Sequence, residues 1–176
     1  MPCIICCKAA ASGVVVLEDD GRVWVVSPSN GFGGYVNTFP KGKLDPQEYL
    51  AACAVRETDE ESAVRTRLGL PVGEITYPIS SGTKSVSYWL GHPITNQAHR
   101  PNNEVDRVEW FSVTAALRQT SYADEREVIR RAVDLPSTTA LVILRHAKAM
   151  SRAEWTGTRD QDRPLDLRGR TQAKAL

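Results

Sequence analysis

GKLDPQEYLAACAVRETDEESAV, residues 42–64, places Gly42, Glu48, Arg56, Glu57, Glu60 and Glu61 at fixed intervals. Residues three and four apart on a helix share a face, so a helical reading brings Glu57, Glu60 and Glu61 together. Three crowded carboxylates repel one another unless solvent or a cation compensates them, and a hard divalent cation such as Mg2+ takes oxygen ligands of this kind. Glu48 and Arg56 stand eight residues apart, slightly over two turns, which allows an ion pair along the helix that steadies Arg56 and through it the carboxylate row. Asp45 suits an N-cap, Pro46 the first helical position and Glu48 the place of a capping-box acid, so the helix is expected to begin at about Pro46, with Gly42 in the loop before it. The competing reading is a solvated charged face that binds nothing, the usual fate of a charge run.

The six positions resemble the Nudix box, G-x5-E-x7-R-E-U-x-E-E-x-G-U with U aliphatic, and six coincident matches favour that reading over the solvated face. Thr58 stands where the pattern has an aliphatic residue, and Ala63 replaces the second glycine. Neither removes a ligand, but loss of the glycine is expected to lengthen the helix by a turn or shift the loop after it. The resemblance implies a Nudix α/β/α sandwich with a mixed β-sheet. It also implies a Mg2+-dependent pyrophosphohydrolase, with Mn2+ as a substitute, that cleaves a nucleoside diphosphate linked to another moiety by water attack on phosphorus. Glu57 and Glu61 would be the principal metal ligands, Glu60 a further ligand or the water-activating base, and Arg56 with Glu48 the support. The Gly42 carbonyl would complete the metal shell.

Outside the box, Lys41 and Lys43 in PKGK resemble the basic loop that meets phosphate oxygens in many Nudix enzymes, with exposed loop lysines as the alternative. Glu104 falls where related enzymes place an additional acidic ligand or general base, or else is a surface glutamate. Phe32, Tyr35, Tyr77, Tyr88 and Trp89 are enough aromatics to stack a purine, although aromatics at strand spacing are mostly core.

Composition agrees with a small enzyme. The chain has 176 residues, 41% of them apolar, and a net charge of +1, enough for one domain-sized core and a fragment besides. With no basic arm and no long like-charged block, a small nucleotide substrate is expected and a nucleic-acid polymer is not. No apolar stretch approaches membrane-spanning length. MPCIICCKAAASG lacks a basic start ahead of its apolar part, so the chain reads as cytoplasmic. Cys3, Cys6 and Cys7 have no second Cys or His pair at zinc-ribbon spacing and read as reduced thiols. A homo-oligomer stays open.

Valine-rich residues 12–18 and 22–27 flank the turn sequence Asp19-Asp20-Gly21 and read as a hairpin. Residues 75–79 and 85–90 read as a second strand pair around Ser80-Ser81-Gly82, and 105–112 as another strand. Helices are expected at 113–119 and 124–133, the second packing through Val128, Ile129 and Val133.

Near the end, ALVILRHAKA followed by RPLDLRGRTQAKAL resembles the opening of a histidine phosphatase domain, with Arg145 and His146 matching its Arg-His pair. The same domain order, Nudix then histidine phosphatase, occurs in certain bacterial two-domain proteins. The sequence stops at Leu176, within what would be that domain's first helix, and supplies none of the family's later catalytic residues. The expected organisation is therefore an N-terminal segment at 1–10, a Nudix domain at 11–135, and a truncated phosphatase-like start at 136–176 without phosphatase activity. His146-dependent phosphomonoesterase activity would refute that last expectation. Among functional classes, the metal-dependent hydrolase is preferred over a catalytically weak nucleotide-binding sensor, and both over a phosphatase.

Overall fold

The computed structural model describes residues 8–28, 37–96, 104–139 and 145–174. Cys3, Cys6, Cys7, Phe32 and Tyr35 lie outside them. The chain divides into two compact units, Met1–Thr138 and Thr139–Leu176.

In the first unit the elements run β1 (Lys8–Val16), β2 (Arg22–Pro28), β3 (Lys41–Lys43), α1 (Leu50–Ser62), β4 (Val64–Ile79), β5 (Gly82–Asn96), β6 (Val105–Ser112), α2 (Val113–Gln119) and α3 (Ala123–Asp134). Among the described residues, one sheet has the order β3-β1-β5-β4 and a two-stranded ribbon pairs β2 with β6. The sheet is mixed: β1 is parallel to β5 and antiparallel to β3.

β1 explains the layering. Val14, Val15 and Val16 are all fully buried, the unbroken apolar run of a strand covered on both faces. Its two faces feed two cores. Ala11 and Val15 pack with Val86, Tyr88 and Leu90 of β5 and with Ala116, Val128, Ile129 and Ala132 of α2 and α3. Val14 and Val16 pack with Ala54 of α1, Val64 and Trp24. Side chains alternate along a strand, so consecutive valines serve opposite cores, and helices on both sides make the sandwich.

The expected hairpin between the first two strands is not found. Its turn exists: the Gly21 amide donates to the Glu18 carbonyl at 2.9 Å and the Glu18 amide to the Arg22 carbonyl at 2.9 Å, with Gly21 at φ +81°, a conformation glycine adopts without steric cost. Past the Leu17–Val23 bridge the strands part. β1 has both edges occupied, by β3 and β5, leaving β2 to pair with β6. β1 also starts earlier than expected, because pairing from Lys8–Thr83 onward with β5 overrides the weak strand propensity of its alanines.

β4 and β5 form a hairpin much longer than 75–79 and 85–90. Register shifts between Leu68 and Pro71 and between Pro71 and Gly73 absorb residues that read as breakers, the usual place for proline and glycine inside a sheet. β6 and α2 occupy the expected residues. In α3 the buried stripe is Glu125, Val128, Ile129 and Ala132, while Val133, expected in the core, is 42% exposed. The i, i+3, i+4, i+7 spacing selects Ala132 and turns Val133 outward.

In the second unit, Ala149 bridges Leu165 and the short α4 (Leu167–Lys174) follows. Asp166 caps α4 by accepting the Gly169 amide at 2.7 Å. Arg163 donates to the Met150 carbonyl at 2.7 Å. Arg145 and His146 are exposed, and His146 Nδ1 lies 2.9 Å from the Ala147 carbonyl oxygen. Among the described residues no helix is long and apolar enough to cross a membrane.

Candidate active site

The helix that carries the glutamates begins at Leu50, four residues later than expected. Asp45 to Glu48 instead form a turn: the Glu48 amide donates to the Asp45 carbonyl at 3.0 Å, and Gln47 stands at φ +68°. A residue in the left-handed region cannot continue a right-handed helix, and Pro46 ahead of it completes a type II pattern. Glu48 still reaches back, its Oε2 accepting the Asp45 amide at 3.0 Å, but it closes the turn and not the helix.

At the other end, Ala63 occupies the left-handed cap at φ 57°, ψ 26°, its amide donating to the Asp59 carbonyl at 2.8 Å. The helix therefore stops at Ser62 and is not lengthened by the missing glycine. β4 starts at once with the fully buried Val64, and that packing holds Ala63 where a glycine is ordinarily favoured. Thr58, in the aliphatic position, is also fully buried and satisfies its hydroxyl on the Ala54 carbonyl at 2.7 Å.

Arg56 organises the site. Its Nε and Nη2 donate to the two carboxylate oxygens of Glu48 at 2.9 and 2.7 Å, its Nη1 to Glu57 and Glu60 at 2.9 Å each, and its Nη2 also to the Lys43 carbonyl at 3.1 Å. Only the forked guanidinium has donors enough for this arrangement. The pair with Arg56, assisted by the Asp45 amide, pulls the Glu48 carboxyl down to about 2, and the hydrogen bonds Arg56 donates to Glu48 raise the guanidinium's already high pKa.

Glu57 and Glu60 differ in exposure, 13% against 56% of the side chain. Glu57 lies directly against Gly42: a β-carbon there would collide with the Glu57 carboxylate. Burial raises the Glu57 pKa despite Arg56, and the charges of Glu60 and Glu104 add to the rise. Glu61 engages the backbone of β3, its Oε2 accepting the Lys41 amide at 2.9 Å. Burial pushes its carboxyl up to about 7, opposed by Lys41 and reinforced by Glu57 and Glu104. The exposed Glu104 is thus brought within electrostatic reach of both buried glutamates.

Lys41, Gly42 and Lys43, expected in a loop, form β3 because they pair with β1, and the two lysines point to different surroundings. Lys43 is exposed. The Lys41 ammonium points inward, donating to Thr38 Oγ1 and the Phe39 carbonyl and lying 3.4 Å from Glu125 Oε1. Sequence reasoning missed Glu125, although its place on the Val128, Ile129, Ala132 stripe was the available signal. It also missed Lys84 of β5, half-buried, whose pKa is lowered by burial and then by the charges of Lys41 and Lys43. Nothing local in TKSVSYW marks that lysine. Of the described aromatics, Tyr88 is a core residue in edge contact with Phe39, centroids 6.0 Å apart, and the Trp89 indole donates to Ser12 Oγ at 3.2 Å.

Among the described residues no three His, Cys, Asp or Glu side chains stand ready as a metal cage. Arg56 holds Glu57 and Glu60, and the Lys41 amide holds Glu61. The donor set nonetheless suits a hard cation, since carboxylate and carbonyl oxygens are what Mg2+ or Mn2+ takes. Two glutamates raised by burial and by neighbouring carboxylates are destabilised in a way that a divalent charge relieves. The buried Cys53 thiol, pushed up to about 11 by burial and the Glu48 and Glu57 charges, is not a competing thiolate ligand.

The NUDIX domain family matches residues 8–132. An 8-oxo-(d)GTP phosphatase of Mycolicibacterium smegmatis is 44% identical over 140 residues, covering 79% of this chain and 43% of that protein. An asymmetrical bis(5'-nucleosyl)-tetraphosphatase of Caenorhabditis elegans is 29% identical over 99 residues, 53% of this chain and 71% of that protein. This chain therefore spans less than half the length of the M. smegmatis relative. Among solved structures, a C. elegans Ap4A hydrolase in a binary complex superposes with a TM-score of 0.62 at 24% identity, covering 70% of this chain and 93% of that one. The ADP-ribose-bound NUDIX domain of Shewanella oneidensis NrtR gives 0.60 at 20% identity, covering 72% and 87%. At such identities the likeness shows the fold, which is the expected α/β sandwich with a mixed sheet.

Proposed function

The chain belongs to the Nudix family, and from that premise we propose that it is a metal-dependent pyrophosphohydrolase acting on a nucleoside diphosphate joined to a further phosphate or phosphorylated moiety. One observation carries the reading. The box is a single connected network in which Arg56 spans Glu48, Glu57 and Glu60, Glu57 packs on Gly42, and Glu61 hangs from the Lys41 amide.

Mg2+, or Mn2+ in its place, would be held by Glu57, Glu61, Glu60 and the Gly42 carbonyl. Bound there, the cation would supply neutralisation of phosphate charge and a lowered pKa for the attacking water. This chain's residues do the rest. Arg56, fixed by Glu48, orients Glu57 and Glu60. Glu60, the exposed member, is a further ligand or takes the proton from the attacking water, with Glu104 as the other candidate base. Lys43 and the half-buried Lys84 offer positive charge to the phosphates; a partly desolvated ammonium beside two other lysines is stabilised by an anion. The Lys41 ammonium is committed to Glu125.

The M. smegmatis relative makes 8-oxo-dGTP the first substrate to try, followed by diadenosine tetraphosphate, canonical triphosphates and ADP-ribose. In a mass-spectrometric screen with Mg2+, one class should be cleaved by the parent protein and not by Glu57→Gln. A folded, Mg2+-binding protein silent across the panel would leave the sensor reading in its place. The proposal draws on no residue of the second unit, where Arg145 and His146 keep only their resemblance to a histidine phosphatase opening.

A further inference from the structure

Glu125 stands out because a carboxylate 1% exposed in an otherwise apolar helix face carries a large desolvation cost. Its Oε1 accepts from Thr38 Oγ1 at 2.6 Å and from the Tyr88 hydroxyl at 3.2 Å, and faces the Lys41 ammonium at 3.4 Å. Its Oε2 is buried without a hydrogen-bond partner. An apolar side chain would fill this position on α3 at lower cost, so the carboxylate's contribution lies in what it holds.

What it holds is the first residue of β3. That strand has three residues and, among the described residues, pairs only with β1, through Ala11–Lys43, Ser12–Gly42 and Gly13–Lys41. So short an edge strand has few backbone bonds to fix it. Lys41 is anchored twice more: its ammonium by Glu125, Thr38 and the Phe39 carbonyl, and its amide by Glu61.

We propose that Glu125 is a positioning residue for Glu61: from α3, on the far side of the sheet from α1, it clamps the Lys41 ammonium and thereby sets the amide on which the Glu61 carboxylate is oriented. Lys41 on this reading is an internal tie and not a phosphate ligand. The inference rests on Glu61 being a metal-binding carboxylate.

The test is Mn2+ binding to the full chain, read by electron paramagnetic resonance of the free ion without nucleotide, alongside steady-state hydrolysis. Glu125→Gln keeps the shape and an acceptor for Thr38 and Tyr88 but removes the charge facing Lys41. It should weaken Mn2+ binding about 10-fold, the scale for a residue that orients a ligand, and leave KM for nucleotide at saturating metal unchanged. Lys41→Met should do the same, the double variant should be no worse than the weaker-binding single, and Lys41→Arg should restore binding. Lys41, whose side chain is 18% exposed against 2% for Glu125, tests the relay by itself through Lys41→Met if Glu125→Gln does not fold.

Unchanged Mn2+ affinity in Glu125→Gln with only a lower Tm would overturn the proposal, as would additive losses in the double variant or a raised KM for nucleotide with metal affinity intact. If the parent protein itself binds no Mn2+, the site reading fails and the relay with it; if the parent binds and the variants bind equally, the relay alone fails.

Discussion

The Glu57 carboxylate occupies the space that a β-carbon on Gly42 would need. The two residues are fifteen positions apart, and their contact locks β3 against α1. Glycine is required at this point by close approach. Gly42→Ala should displace Glu57, whose side-chain end can move, so the expected stability loss is only about 1–2 kcal/mol. Turnover should fall at least about ten-fold, the scale for disturbing a supported ligand. Parallel Tm and kcat measurements check this, and a variant with parental turnover would show that the contact is incidental.

Arg56 serves three carboxylates and a carbonyl through one planar fork. A lysine keeps the charge but presents a single ammonium, which cannot span Glu48 and Glu57 together. Arg56→Lys should therefore lose about as much activity as Arg56→Ala, on the order of 10–100-fold. A near-parental Arg56→Lys would mean that charge alone suffices.

Ala63 caps α1 in the left-handed region at φ 57°. An alanine there is strained by roughly 1 kcal/mol relative to glycine. Ala63→Gly should raise the denaturant midpoint by a corresponding amount, with kcat unchanged. A lower midpoint would show that packing at Val64 depends on the alanine methyl.

The Glu48 carboxyl is held down to about 2 by Arg56 and the Asp45 amide. A depressed folded-state pKa contributes stability above the ordinary value near 4.5 that is lost as pH falls toward 2. The Tm difference between the parent and Glu48→Gln should be full at pH 6 and shrink steadily between pH 4.5 and 2. A difference independent of pH across that window would remove the ion pair as its cause.

Much of the fold was legible locally. The strand at Val105–Ser112 and the helix at Val113–Gln119 fall where the pattern put them, because each is read from its own side chains. The ion pair of Glu48 with Arg56 forms as expected, although Glu48 reaches it from the turn before α1 and not along the helix. Strand pairing was not legible. Residues 19–21 write a turn correctly, yet the strands on either side join different sheets, since the edges of β1 are claimed by residues far away in the chain. The length of β4 was hidden by Gly69, Pro71 and Gly73, where bulges turned apparent breakers into strand.

At the site, the sequence alone placed Arg56, Glu57, Glu60 and Glu61 on one helix, because a period of 3.6 residues converts spacing into neighbouring positions with no help from the rest of the molecule, whereas Gly42 and Glu48 join them from outside α1. It did not determine what those residues touch. That Lys41 turns inward to Glu125, 84 positions away, that Glu61 hangs from a backbone amide, and that Lys84 joins the two loop lysines are outcomes of sheet order and burial. Charges meet partners by position in space, and position in space is set by which strands pair and which faces are covered.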